Sequence, residues 1–336
     1  MGRSRRAHPL QARMFVPEPP PTFCTPDTGT ATLYVDPTAL VVSASGGLDS
    51  DATALWVRKT WPEHRIIMLY FVLPGADWAT TPAHLEELVD TIGNCTIYNL
   101  QAVHELTGAQ TPTGMNSTRL RRVHDFADGP ITDNDPAVIM SVLDFARRAR
   151  LNNPPTKAIR WCTKFFKSLT SDAWCRQHRA LLGDRAILFT GERHAESDDR
   201  ATLNHWEWRD IGLQPCKAWP EGWNLLWVRP VIERRLHEVA RMVYDAGISL
   251  NESYIAQGES WETVLNPARD ERGRARHSCS VCIFTRQEHL ATALARRPDL
   301  VADQVAEVLA FEAETGKTWQ QRGPLGVDMP FEVVRV

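Results

Sequence analysis

The chain has 336 residues, 43% of them apolar and 24% charged, with a formal net charge of -3. That length suits one main domain with a smaller lobe, and the near-neutral balance excludes a protein that holds nucleic acid chiefly by its overall field. The longest apolar runs, such as "RIIMLYFVL" (65–73), are too short to cross a bilayer. The basic start "MGRSRRAHPLQAR" leads into a Pro-rich stretch instead of a signal-peptide core, so a cytoplasmic location without a membrane partner is expected.

Residues 1 to about 30 read as a flexible, basic, Pro-rich arm. Beyond them, strand-like runs at 39–45 (ALVVSAS), 66–73, 95–100 (CTIYNL) and 186–190 (AILFT) alternate with helical patterns at 49–60, 82–92 and 163–180. This βαβα order predicts an α/β fold with a parallel, doubly wound sheet covered on both faces. Residues 103–158 break the rhythm and predict an insertion, with a helix at 136–150 and a mobile part before it. Further helices are expected in "ERRLHEVARMVYDAG" (233–247) and "DLVADQVAEVLAFEAETG" (299–316). The main domain is placed at 31–250 and a small helical C-terminal lobe at 251–336. Five of the twelve tryptophans fall in 205–227, where packing is a commoner use than base stacking.

The sharpest local signal is "ALVVSASGGLDSDATALWV" (39–57). A buried-type strand there ends in Ser-Gly-Gly and restarts as a helix, which gathers backbone N–H groups and a helix N-terminus around one concavity. Gly46 and Gly47 permit positive φ and close approach, Ser45 and Ser50 supply hydroxyls, and Ser43 and Leu48 belong to the same candidate binding loop. Asp49 beside a polyphosphate calls for a divalent cation, Mg2+, or for a capping role. The string is not a Walker A loop. The other candidate, "TGKT" (315–318), has Phe311 where that motif needs glycine.

Cysteines occur at 24, 95, 162, 175, 216, 279 and 282. An odd number without a secretory signal favours thiols or metal ligands over disulfides. Cys279 and Cys282 form a CxxC that, with distant Cys162, suits an iron–sulfur cluster. His277 together with Cys162, Cys279 and Cys282 would equally suit a structural zinc site. Cys175 and Cys216 are the candidates for a fourth cluster ligand. Arg160, Lys164 and Lys167, around "IRWCTKFFK" (159–167), add positive charge able to stabilise a pentacoordinate phosphorus.

The string SGGLDS resembles the pyrophosphate loop (PP-loop) of the N-type ATP pyrophosphatases. The stretches 71–93, 159–167, "FTGERHAESDDRA" (189–201) and "SCSVCIFTRQ" (278–287) resemble the phosphoadenosine phosphosulfate reductase branch of that superfamily. The resemblance implies a HUP-like sheet of the adenine nucleotide alpha hydrolase type, with ATP on Ser43 and Ser45 to Ser50. It also places Arg193 and Glu196 at the family's GxRxxES position and makes a 4Fe-4S cluster the preferred cofactor over zinc. With no further cysteine fixed on the cluster, an iron would stay open to sulfide.

Reductases of that branch use a cysteine nucleophile on a C-terminal tail, and this chain has no cysteine after 282. The likeness is greatest to the ATP pyrophosphatases of DNA phosphorothioation systems of the Dnd and Ssp type. It implies ATP-dependent adenylylation of a backbone phosphate, release of pyrophosphate and sulfur insertion. A separate cysteine desulfurase and other subunits of such a system are the implied partners, and DNA the implied substrate. Thiolation of a tRNA or small molecule, reduction of adenylyl sulfate, and non-catalytic nucleotide sensing are the alternatives at this stage.

Overall fold

The computed structural model describes residues 37–111, 115–156, 159–210, 224–269 and 274–319, so the N-terminal arm and Cys24 lie outside them. Strands β1 (Ala39–Ala44), β2 (Ile66–Phe71), β3 (Cys95–Gln110), β4 (Asn116–Asp125), β5 (Val138–Ile139), β6 (Ala186–Phe189), β7 (Trp206–Asp210) and β8 (Asn224–Val228) form one sheet. Its order is β4-β3-β2-β1-β6-β8-β7, with β5 paired to β3. Strands β1, β2, β3, β6 and β8 run parallel, and β4, β5 and β7 pair antiparallel. The β2 sequence IIMLYF is buried at every position and does not alternate, as expected of a parallel strand covered on both faces.

The helices are α1 (Leu48–Thr60), α2 (Thr81–Ile92), α3 (Val142–Arg148), α4 (Trp161–Thr163), α5 (Leu169–Gln177), α6 (Arg179–Leu182), α7 (Leu236–Asp245), α8 (Glu252–Ala256), α9 (Trp261–Val264), α10 (Gln287–Arg296) and α11 (Pro298–Thr315). On one face of the sheet Val41, Ile67, Leu69, Phe71 and Leu188 pack with Trp174, Cys175 and Leu182. Over the other lies α1, flanked by α2 and α7, its Trp56 ring 6.2 Å from that of Phe189. The fold is α/β and doubly wound, as predicted. The chain steps outward from β1 to β3 and then returns to the far side of β1 at β6. The crevice beyond the carboxyl ends of β1 and β6 is therefore the switch point where such sheets bind ligands.

The insertion differs from expectation. Residues before its helix form a long antiparallel hairpin of β3 and β4, with register shifts between Val103 and His104 and between Leu106 and Gln110. Arg119, Arg121 and Arg122 on β4 pair with Glu105, Asp135 and Asp133, and this charged outer face hides strand alternation in the sequence. The expected helix at 136–150 is only α3, capped by Ser141 Oγ, which accepts from the Asp144 N–H at 3.1 Å.

The C-terminal region also does not pack alone. Leu73 and Trp78 from the loop after β2, Phe145 of α3, Phe166, Val281, and Val305, Val308 and Phe311 of α11 share one apolar core. Within the Trp-rich stretch, Trp227 Nε1 donates to Thr190 Oγ1 at 2.6 Å, and Arg209 and Arg229 lie over its ring at 4.8 and 4.2 Å, which is a packing role. Among the described residues no helix is long and apolar enough to cross a membrane.

Candidate active site

The turn after β1 starts with Gly46 at φ 75°, a conformation that L side chains rarely adopt. The position is also closely packed. A Cβ there would lie 3.0 Å from Asn251 Nδ2 and 3.1 Å from Thr81 Cγ2. Gly47 caps α1 without any side-chain cap bond, and Asp49 and Asp51 lie in the first turn, so acidic side chains offset the helix dipole where it meets the concavity. Ser50 Oγ braces the turn, donating to the Gly47 carbonyl at 2.8 Å and lying 3.1 Å from Ser45 Oγ. Ser43 stays inside β1, paired in register with Leu69.

Residues well downstream lock this loop. Asn251 Nδ2 donates to the Gly46 carbonyl at 3.0 Å, and the Leu48 N–H donates to Tyr254 Oη at 3.3 Å. Burial and the nearby Asp49 charge raise the Tyr254 phenol far above its ordinary value, so it remains a neutral hydroxyl. His277 leans on Gly47, where an added Cβ would meet its Cβ at 3.1 Å. Its ring is bonded to Ser253 Oγ at 2.7 Å and to the Ser45 backbone. Burial, with the charges of His84 and Lys167 behind it, pushes His277 down to about 3. It is a neutral spacer under the loop.

Asp49 does not cap the helix. Its Oδ1 accepts from Arg193 Nε at 2.6 Å, with the Arg193 side chain almost wholly buried. Arg193 enters from the loop after β6, and Glu196 Oε2 accepts its backbone N–H at 3.2 Å. Glu196 also pairs with Arg200 and Arg276, and Arg276 donates to its backbone carbonyl at 2.6 Å. The approach of the two loops depends on Gly191. A Cβ there would stand 2.4 Å from the Asp49 carbonyl carbon and oxygen and 2.6 Å from the Ser50 nitrogen.

A buried pair beneath the loop escaped sequence reasoning. Asp51 Oδ2 lies 2.8 Å from His84 Nε2 of α2, both side chains almost fully enclosed. Burial disfavours the His84 cation, but the Asp51 hydrogen bond and charge win, and its pKa is raised. Asp51 Oδ1 in turn lies 3.2 Å from Ser50 Oγ. The only sequence signal was a histidine on the apolar side of a helical pattern.

The thiols gather on the other side of His277. Ser280 is pinned by its N–H and Oγ to the Ala76 carbonyl at 2.6 and 2.9 Å, and Trp78 Nε1 donates to the Ser278 carbonyl at 2.9 Å. These bonds hold Cys279 against the apolar core that also receives Cys162. One turn of π-helix, Lys164–Ser168, follows Cys162, and such turns recur at functional sites. It buries Phe166 and leaves Lys164 exposed, with its ammonium 5.9 Å from the Phe165 ring centroid. Lys167 is the lysine turned inward. Burial opposes its charge, but Cys279, Asp77, Cys282 and Cys162 around it raise its pKa. Burial also raises the Cys162 and Cys279 thiols, in Cys279 against the Lys167 charge.

This donor set fits a 4Fe-4S cluster in its chemistry: cysteine thiols at an apolar wall, with a cation to offset thiolate charge. Among the described residues no group of three His, Cys, Asp or Glu side chains is drawn together as a metal site, so the thiols are neighbours and not a closed coordination sphere. The zinc arrangement loses its fourth ligand because the His277 ring is committed to Ser253 and Ser45. Cys175 belongs to the other core, beside Trp174, away from the core that receives Cys162 and Cys279, which removes it as a ligand. Cys216 lies outside the described residues. Arg160, on the rim, pairs with Asp199 at 3.4 Å.

No protein-family model matches the chain, and no curated protein does. Among solved structures it is similar to phosphoadenylyl-sulfate (PAPS) reductase from Candida auris in a phosphate complex. The identity is 13% and the TM-score 0.35, over 66% of this chain and 79% of that one. It is also similar to the U34-tRNA thiolase NcsA from Methanococcus maripaludis with its 4Fe-4S cluster, at 11% identity and a TM-score of 0.33, over 89% of this chain and 80% of that one.

Proposed function

We propose that the protein is an ATP pyrophosphatase that adenylylates a phosphate so that sulfur can be inserted, with the DNA backbone as acceptor. One observation carries this reading. The segment that leans on the nucleotide loop at His277 is the same segment that bears Cys279 and Cys282. Nucleotide activation and thiol chemistry are thereby joined through a few residues of backbone.

In the proposed reaction the Gly46–Gly47 turn and the first amides of α1 hold the β and γ phosphates of ATP. Asp49 would help hold Mg2+ brought in by the nucleotide, an ion that would offset polyphosphate charge. An acceptor phosphate oxygen attacks the α-phosphorus, and the bond to the β-phosphate breaks with its electrons leaving on pyrophosphate. Arg193, donating from Nε to Asp49, is held in place to stabilise charge that develops there. Sulfide then displaces AMP from the activated phosphate, and the bridging oxygen leaves with AMP. A 4Fe-4S cluster on Cys162, Cys279 and Cys282 would supply an iron able to carry that sulfide. Lys167 offsets the negative charge that collects around the thiols. A cysteine desulfurase and further subunits of a phosphorothioation system would be the partners, in the cytoplasm.

The test is a reconstitution with ATP, Mg2+, cysteine, a cysteine desulfurase, a dithiol reductant that releases the persulfide sulfur as sulfide, and either DNA or tRNA. Mass spectrometry of the digested nucleic acid should find phosphorothioate-linked deoxydinucleotides. Sulfur appearing in tRNA bases alone would replace the DNA reading with tRNA thiolation.

A further inference from the structure

Sulfur transfer needs an acceptor that reaches both the nucleotide loop and the thiols, and the surface between them is unlike an ordinary solvated rim. Arg276 immediately precedes His277 and lies within electrostatic reach of Asp49 on one side and Cys282 on the other. Arg200 lies within reach of Glu192 and Asp49 and of Arg276 and Arg160. The Glu196 carboxylate faces both Arg200 and Arg276, so two half-enclosed guanidinia flank one acid at this rim.

The two cysteine-bearing segments also send neighbours outward. Arg160 stands two residues before Cys162 and Phe284 two after Cys282. The Arg160 guanidinium lies 4.9 Å over the Phe284 ring. That ring is 44% exposed, and Ile159 beside Arg160 is 65% exposed. A half-exposed aromatic ring next to guanidinia is the combination by which proteins hold unpaired nucleotides, because a stacked duplex hides the base face.

We propose that Arg160, Arg200, Arg276 and Phe284 form the acceptor seat, and that its occupant is an unpaired DNA strand. A backbone phosphate sits between Arg200 and Arg276, and a base stacks on Phe284. The Arg160 guanidinium backs the platform and adds cation–π contact. The phosphate so placed lies beside Asp49 and Arg193 for attack on ATP and beside Cys282 for sulfur. The proposal rests on the function above for its chemistry, but strand binding stands or falls without any turnover.

The experiment is fluorescence anisotropy of the full chain with a labelled single-stranded oligodeoxynucleotide of about 20 nucleotides, without ATP. The single strand should bind at least about tenfold more tightly than the same sequence as duplex. Phe284→Ala should weaken it by about tenfold, within the usual contribution of one base–aromatic stack, and Phe284→Tyr should restore it. Arg276→Gln should weaken binding and flatten its salt dependence. The seat is overturned if the wild-type chain does not bind, if duplex binds as well as the strand, or if Phe284→Ala stays within twofold. Tighter binding of the same sequence as RNA overturns the choice of DNA. Strand binding without pyrophosphate release would sink the catalytic reading and leave the seat standing.

Discussion

Replacing Gly191 by alanine tests how the site is assembled. The new Cβ would fall 2.4 Å from the Asp49 carbonyl atoms and 2.6 Å from the Ser50 nitrogen, about 1 Å inside ordinary contact. These are backbone atoms of the first turn of α1, so no side chain can swing aside. Either the loop carrying Arg193 or the start of α1 must retreat by about 1 Å, and overpacking of this kind costs about 1–3 kcal/mol. The cost to chemistry should be larger, because a displacement of about 1 Å at a reacting site lowers rate by roughly 10²-fold. Urea unfolding and steady-state pyrophosphate release would be measured on the same preparation. Gly191→Ala should remain folded with turnover reduced by about two orders of magnitude. Gly93→Ala, at a positive φ where a Cβ meets nothing within 4 Å, should lose a little stability and keep its turnover. A Gly191→Ala protein within twofold of wild type would refute the packing of the two loops.

Asp49→Ala should abolish pyrophosphate release with the fold intact by circular dichroism, and Arg193→Lys should lower it by about tenfold to a hundredfold, since an ammonium cannot reproduce the guanidinium fork. The raised His84 pKa has a definite sign. Its stabilising contribution is complete below the ordinary histidine range and is lost as pH rises through the raised value. The stability gap between wild type and His84→Gln, from urea melts across pH 5 to 9, should therefore shrink toward alkaline pH, and a gap that widened would contradict the pairing with Asp51. Anaerobically reconstituted protein should hold iron and acid-labile sulfide, Cys162→Ala and Cys279→Ala should lose both, and Cys175→Ala should keep them.

The glycine turn between β1 and α1 was legible because everything it needs is local: a buried β-branched strand, two glycines and a helix start within a dozen residues. The βα alternation was legible for the same reason, since β1, β2 and β6 are nearly continuous apolar runs. What escaped depends on contacts distant in sequence. The need for glycine at 191 arises only where the β6 loop meets Asp49, and Asn251 and Tyr254 serve the loop from about 200 positions away. The choice between Lys164 and Lys167 turns on one π-helical turn, which residue spacing does not announce. The β3–β4 hairpin was missed because its arginines answer acids across strands and through the following loop, so its polar faces mimic an unstructured connection.

In the proposed reaction the SGGLDS loop cleaves ATP between its α and β phosphates. Incubating the protein with DNA, a sulfur donor and ATP labelled at the α-phosphate, then separating the products, tests it most directly. AMP and pyrophosphate should form in equal amounts and vanish with Asp49→Ala. Labelled ADP with inorganic phosphate, or no turnover under these conditions, would contradict it.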